Sequence, residues 1–310
     1  MKVIFAYGGQ TETPDWTIPL QQALPEIELF HWQPDAPAQG AQAAIVWNPP
    51  RGLLGQEPGV KTLFNLGAGV DALLRLEGLR DDIQLVRLED AGMAVQMAEY
   101  AAHALIRAAR AFDRYEGFQK AAQWRRLPNI RRKDWPVGVL GMGVMGKRVA
   151  QVLAALEYPV AGWSRSAKSL PGVTSFSGDD GLRGFLARTR VLVNTLPLTD
   201  ETRDFLSRET LGQLLPGAYL INMARGEHLV EEDLLDLLDS GHMSGATLDV
   251  FRTEPLPPEH PFWQHPGITV TPHVAAASLR EESVAQVAQN IRRLLKGEPL
   301  EGVVSRRRGY

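Results

Sequence analysis

Val137-Gly138-Val139-Leu140-Gly141-Met142-Gly143-Val144-Met145-Gly146 joins a short apolar run to a G-x-G-x-x-G spacing. Beyond it, Val149, Val152, Leu153 and Leu156 recur at i, i+3, i+4 and i+7, the stripe of a helix packed on a sheet. The stretch therefore reads as strand, tight turn and helix. Gly141 permits the turn, Gly143 lets backbone amides approach a pyrophosphate, and Gly146 lets the helix sit close to the strand. With Met142, Val144 and Met145 between them, these glycines form a candidate dinucleotide cradle at a positive helix N-terminus.

The rest of the composition is that of an ordinary globular protein. A chain of 310 residues, 44% hydrophobic and 22% charged, has length for two domains with cores of their own. A formal net charge of −3 gives no general attraction to nucleic acid or anionic membrane. The absence of cysteine excludes disulfides, thiolate metal sites and thiol nucleophiles. No run has the length of a membrane span or of a signal sequence, so a cytoplasmic protein without membrane partners is expected.

Upstream of the glycine stretch, apolar runs at 2–6, 27–32, 43–47, 61–66 and 83–88 alternate with turns, the first at Gly8-Gly9, and with helical segments such as 16–24. Strands alternating with helices predict a parallel α/β domain. One long Ala-rich helix is predicted over 95–120, with Met97, Ala101, Leu105 and Ala108 or Ala109 on one face, as a connector. The segment 124–133 (WRRLPNIRRK) is a solvated arm or subunit contact, with a nucleic-acid patch as the alternative that the acidic balance disfavours. From 137 onward six strands are predicted, at 137–140, 159–163, 190–195, 218–222, 245–250 and 268–271, the Rossmann count. A last helix over 279–295 outlasts the sixth strand and returns to the first domain, which makes that domain discontinuous.

The second strand of the glycine-loop unit bears on cofactor choice. An NAD-preferring site places a carboxylate there, roughly 20 residues past the glycines, to bond the ribose 2′-OH. Here no Asp or Glu occurs between Glu157 and Asp179, and Ser164, Arg165, Ser166 and Lys168 offer hydroxyls and cations. That set suits a 2′-phosphate, so NADPH is predicted over NADH.

Three strand ends carry groups for chemistry: Arg225 after 218–222, Glu254 after 245–250, and His273 after 268–271. Ligands of open α/β sheets bind outside the carboxyl ends of strands, so one cleft can hold all three. A guanidinium grips a carboxylate and its neighbouring carbonyl, and a His beside a Glu is held in its proton-donating form. Singly, each has an ordinary role as surface, ion-paired or structural residue. The other histidines read as structural or surface, and no metal-ligand spacing occurs.

These blocks together resemble the D-isomer-specific 2-hydroxyacid dehydrogenase family. The glycine loop, Asn222-Met223-Ala224-Arg225-Gly226, Leu248-Asp249-Val250-Phe251 with Glu254-Pro255-Leu256, and Thr271-Pro272-His273 occur in order, preceded by Leu66-Gly67-Ala68-Gly69-Val70-Asp71. Trp47-Asn-Pro-Pro, Arg87-Leu-Glu-Asp, Trp163-Ser-Arg-Ser and the ending Arg308-Gly-Tyr310 are similar to the bacterial group that reduces glyoxylate and hydroxypyruvate with NADPH.

The resemblance implies two doubly wound parallel-sheet α/β domains with a cleft between them. One is a flavodoxin-like substrate domain over 1–96 and 284–310, the other a Rossmann NAD(P) domain over 97–283. It implies that His273 protonates the carbonyl, that Glu254 holds it protonated, and that Arg225 binds the 2-oxo acid. It further implies that the Gly67, Ala68, Gly69 and Val70 amides take the substrate carboxylate, that Asp249 fixes the nicotinamide carboxamide near Met223 and Ala224, and that Leu196 and Pro197 line the adenosine side. Trp47 caps the substrate or is a core aromatic. The resemblance also implies a homodimer and domain closure around the hydride transfer. The competing readings are a dehydrogenase of the same family acting on another 2-oxo acid, a dinucleotide-sensing binding protein of the same fold, and a methyltransferase, which has no use for the Arg, Glu and His set.

Overall fold

The computed structural model describes residues 1–8 and 14–310, so the second residue of the Gly8-Gly9 turn lies outside the described residues. The chain divides into two compact units, Met1–Gly92 with Ser278–Tyr310, and Met93–Ala277.

The first unit opens with β1 (Lys2–Tyr7), α1 (Pro14–Ala23), β2 (Glu28–His31), β3 (Ala43–Trp47), α2 (Leu53–Gln56), β4 (Thr62–Asn65), α3 (Asp71–Leu74) and β5 (Gln84–Val86). The second unit contains α4 (Met93–Ala109), α5 (Phe112–Lys120), β6 (Val137–Leu140), α6 (Val144–Ala155), β7 (Val160–Ser164), β8 (Val173–Ser177) and α7 (Gly178–Ala187). It continues through β9 (Val191–Asn194), α8 (Arg208–Leu211), β10 (Ala218–Asn222), α9 (Glu231–Asp239), β11 (Met243–Leu248) and β12 (Ile268–Val270). The last helix, α10 (Arg280–Lys296), belongs to the first unit.

In the first unit the sheet order is β2-β1-β3-β4-β5 with every neighbouring pair parallel, the doubly wound order of flavodoxin-like folds. Ile4, Ala6, Ala44, Val46, Leu63 and Leu85 pack in one buried cluster, while the alternate residues Val3, Phe5, Ala43, Ile45 and Phe64 are also buried. Both faces are covered, so these strands read as continuous apolar runs rather than alternating ones. Helix α10 is tied to the start of the chain by Arg280 to Asp15 at 3.4 Å and Arg292 to Glu26 at 2.7 Å.

The second sheet has the order β8-β7-β6-β9-β10-β11-β12, again parallel throughout. Val137, Val139, Val191 and Val193 face α4 and α6, whereas Leu140, Leu192, Leu220 and Leu248 face α7 and α9. This is the period-2 division of a strand between two covered faces. Chain order reverses between β6 and β9, which is the switch point where such sheets bind ligands.

Two expectations are corrected. The single helix over 95–120 is two helices, α4 and α5, broken at Ala111, whose φ is +51°. Met97, Ala101, Leu105 and Ala109 are buried along α4, but α5 buries no residue, so nothing beyond Ala109 pulls the chain onto the same axis. The six predicted strands of the second unit are seven. The missed one, β8, is the edge strand VTSFS, exposed or half-exposed along its length, and it lacks the apolar run that marks a covered strand.

Candidate active site

At the switch point, the turn after β6 is built as its glycines require. Gly141 has φ +92°, a conformation an L side chain rarely adopts. A Cβ on Gly146 would lie 1.8 Å from the Gly141 carbonyl oxygen, so α6 packs against the turn only because Gly146 has no side chain. At Gly143, the N-cap of α6, a Cβ would meet nothing within 4 Å. A cradle open above a glycine, beside first-turn amides with no intrahelical acceptor, fits a pyrophosphate. Thr195 Oγ1 closes the turn from the β9 side at 2.8 Å from the Leu140 and Gly141 carbonyls, which brings Leu196 and Pro197 alongside. Met142 contributes only main chain to this cradle. Its side chain is buried in the core, where a Cβ on Gly162 would meet the Met142 sulfur at 2.3 Å.

Ser164 ends β7, and its hydroxyl donates to the Ser166 carbonyl at 2.8 Å. Arg165, Ser166 and Lys168 follow in an exposed loop. The Glu201 carboxyl is held below its ordinary value by the Thr199 hydroxyl, its own main-chain amide and, more weakly, the Arg165 charge. The loop thus offers cations and hydroxyls around the end of the second strand.

The three candidate chemical groups stand on neighbouring strand ends. His273 Nδ1 is 2.8 Å from Glu254 Oε2, while Glu254 Oε1 accepts the Phe251 amide at 3.0 Å. The hydrogen bond to Glu254 raises the His273 pKa, burial opposes it, and the Glu254 charge adds to the rise. Burial alone would push the Glu254 carboxyl up, but the bonds from His273 and Phe251, with the His273 and Arg225 charges, hold it below its ordinary value. Arg225 donates from Nη1 to the Ala224 carbonyl at 2.7 Å, and its charge acts on both members of the pair. Its loop lies against the next one because Gly226 has no side chain: a Cβ there would sit 1.9 Å from the Phe251 carbonyl carbon. Met223 and Ala224 are buried at this strand end.

His273 itself has φ +54°, unfavourable for a residue with a Cβ. Asp249, buried at 1% exposure, holds the loop around it. Asp249 Oδ1 accepts the Thr271 hydroxyl at 2.6 Å and the Val274 amide at 2.8 Å, Oδ2 accepts the Ala275 amide at 2.8 Å, and its carbonyl accepts the His273 amide at 2.9 Å. The Thr271 proton is committed to a carboxylate, so the Tyr100 hydroxyl, 2.6 Å away, donates to Thr271. Burial raises the Tyr100 pKa and keeps that phenol protonated. Thr271 and Tyr100 were not among the predicted site residues. Thr271, a hydroxyl at the end of a strand just before His273, was the available signal.

In the first unit, Trp47 and the Gly67–Val70 loop come together. A Cβ on Gly67 would lie 2.2 Å from Trp47 Cζ3, so the indole rests directly on that glycine. Asn65 Nδ2 donates to the Gly67 carbonyl at 3.0 Å and the Gly69 carbonyl at 2.8 Å, and the Leu88 amide also binds the Gly67 carbonyl. The loop's carbonyls are therefore held inward. Among the described residues, the amides of Gly67, Ala68, Gly69 and Val70 donate to no protein acceptor. Backbone N–H groups without a protein acceptor are the kind that can bind an anion.

Among the described residues no group of three potential metal ligands occurs, and no helix is long and apolar enough to cross a membrane. A parallel sheet with a glycine turn at its switch point, and Arg, Glu and His on adjacent strand ends, defines a dinucleotide-dependent oxidoreductase. Residues 102–275 match the D-isomer specific 2-hydroxyacid dehydrogenase NAD binding domain, and the chain belongs to that family. It is 45% identical over the full length of both chains to glyoxylate/hydroxypyruvate reductase A of Serratia proteamaculans. A D-isomer specific 2-hydroxyacid dehydrogenase of Xanthobacter autotrophicus Py2, solved with NADPH and MES, is 38% identical with a TM-score of 0.93, covering 100% of this chain and 99% of that one. The NADPH-dependent glyoxylate/hydroxypyruvate reductase of Sinorhizobium meliloti, solved with NADP and sulfate, is 37% identical with a TM-score of 0.93 over the same shares.

Proposed function

We propose that this protein reduces small 2-oxo acids with NADPH, glyoxylate to glycolate and hydroxypyruvate to D-glycerate. The observation that carries the reading is the His273–Glu254 pair at 2.8 Å, with the Arg225 charge acting on both, at strand ends of the sheet that bears the glycine turn. NADPH, when bound, supplies the hydride. Gly141, Gly143 and Gly146 with the first-turn amides of α6 hold its pyrophosphate, Leu196 and Pro197 flank it, and Ser164, Arg165, Ser166 and Lys168 take the 2′-phosphate. The resemblance to NADP-bound relatives supports that cofactor.

Arg225 anchors the 2-oxo acid and draws electron density toward its carbonyl oxygen. His273 bonds Glu254 through Nδ1, so Nε2 delivers the proton to that oxygen as the carbonyl carbon gains hydride. One hydride and one proton convert C=O to CH–OH, and Glu254 offsets the imidazolium charge until the proton leaves. The Gly67–Val70 amides suit the substrate carboxylate, and Trp47 against Gly67 suits a wall of limited size. We also propose a homodimer. Helix α5 buries none of its residues, and Trp124 in the basic arm beyond it is 100% exposed. Sedimentation of wild type and Trp124→Arg tests this, with a monomeric wild type against it.

The deciding experiment follows NADPH absorbance with glyoxylate and hydroxypyruvate, beside NADH and beside His273→Ala. Turnover with NADPH that the variant abolishes is expected. NADPH binding without turnover on either acid would sink the reading.

A further inference from the structure

A fully buried histidine, His228, lies three residues beyond Arg225 and plays no part in the mechanism above. Its Nε2 is 3.2 Å from the Pro197 carbonyl, which can only accept, so Nε2 carries a hydrogen. Burial lowers its pKa against the opposing bond to the Pro197 carbonyl, with the Arg225 charge adding to the fall. In that tautomer of the neutral ring Nδ1 accepts from Asn194 Nδ2 at 3.1 Å, with the Arg225 carbonyl the other polar atom beside it at 3.2 Å. The other Asn194 N–H donates to Asn222 Oδ1 at 3.0 Å, and Asn194 Oδ1 accepts the Leu196 amide at 3.2 Å. Asn222 in turn donates to the Arg225 carbonyl at 3.1 Å and accepts the Ala224 amide at 3.3 Å.

Every polar atom of the three side chains thus has a partner. The two asparagines stand opposite each other in register, as the last residues of β9 and β10. One end of the network grips the 196–197 loop beside the glycine turn; the other grips the main chain at Ala224 and Arg225. An unsatisfied buried polar group is costly, so the chain fixes the three side chains in one arrangement between the two loops.

We propose that His228, through Asn194 and Asn222, is a positioning residue that holds the Arg225 anchor in register with the dinucleotide-flanking loop at Leu196–Pro197. This rests on the reductase reading, since it assigns Arg225 to the 2-oxo acid and residues 196–197 to NADPH.

The two ring nitrogens are separable by substitution. His228→Gln keeps a donor at the Nε2 position for Pro197 but loses the acceptor for Asn194. His228→Asn keeps a polar group at the Nδ1 position and loses the Pro197 bond. NADPH affinity is read by fluorescence titration, and Arg225 placement by the affinity of the NADPH-loaded protein for oxalate, a non-reacting dicarboxylate. The Gln variant is expected to bind NADPH like wild type and oxalate about tenfold more weakly, and the Asn variant the reverse, each corresponding to a lost buried hydrogen bond. His228→Leu is expected to weaken both; should it fail to fold, the two polar variants carry the test.

Wild-type affinities throughout would overturn the proposal. So would equal losses of both ligands in Gln and Asn variants with a matching fall in melting temperature, the signature of a merely structural role. Wild-type protein that binds NADPH and oxalate yet turns over no 2-oxo acid would sink the reductase reading alone.

Discussion

Asn at position 249 exchanges one carboxylate oxygen for an NH2 group in a site with no room for solvent, since Asp249 is 1% exposed. If the amide oxygen keeps the Thr271 hydroxyl and the Val274 amide, the NH2 faces the Ala275 N–H, donor against donor. The flipped amide sets the NH2 against the Val274 N–H instead. Losing one charge-assisted bond and leaving a buried donor unmet costs about 2–3 kcal/mol. For a unit of this size that is a fall in melting temperature of about 4–12 °C.

The same bonds brace His273, the proposed proton donor, in its left-handed conformation, so that side chain is released when they fail. Turnover with glyoxylate is expected to drop by about 10–100-fold through kcat, the kinetic equivalent of ~1.4–2.8 kcal/mol. Calorimetry and steady-state kinetics on Asp249→Asn measure both. A variant with the wild-type melting temperature and kcat, impaired only in KM for NADPH, would refute the bracing role and leave the carboxylate acting on the cofactor.

The His273–Glu254 pair sets a pH signature. On the proposed mechanism His273 must be protonated to reduce, and its pKa lies above the ordinary 6.5, so kcat/KM should hold below the raised value and fall as pH rises through it. Glu254→Gln removes the carboxylate that sustains the charge, and pH–rate profiles should show that fall moved to lower pH. For stability, the His273 contribution is complete below 6.5 and lost as pH rises through its folded value. The Glu254 contribution is present above 4.5 and lost as pH falls through its depressed value; melting curves across pH read both. Arg165→Ala should weaken NADPH about tenfold or more and leave NADH nearly unchanged, because only the former carries a 2′-phosphate; equal losses in titrations of both would refute the assignment. Gly67→Ala drives a methyl to 2.2 Å from Trp47 Cζ3 and should cost about 1–3 kcal/mol with a raised KM for the 2-oxo acid. In a Trp47→Ala background the stability loss should largely vanish, and an undiminished loss in thermal melts would show that the indole is not the obstacle.

Local chemistry in the sequence was enough for much of this. The glycine spacing before an amphipathic stripe, the covered apolar strands, the missing acid after β7, and Arg, Glu and His each following a strand are all properties of contiguous residues. The fold class and the family follow from them. Where a segment has little to bury, the sequence misleads: β8 is a polar edge strand with no apolar run, and the helical pattern of 95–120 conceals a break at Ala111 that no glycine or proline announces. Tertiary structure alone decided which polar atoms meet. Asp249 reads as a ligand contact, but it also clamps the His273 loop across 22–26 residues of sequence. Likewise, His228 reads as one more core histidine, yet it closes a chain between two strand ends. A buried donor must find an acceptor wherever the fold brings one within hydrogen-bond reach, and that distance is set by parallel strands stacked side by side, not by neighbours along the chain.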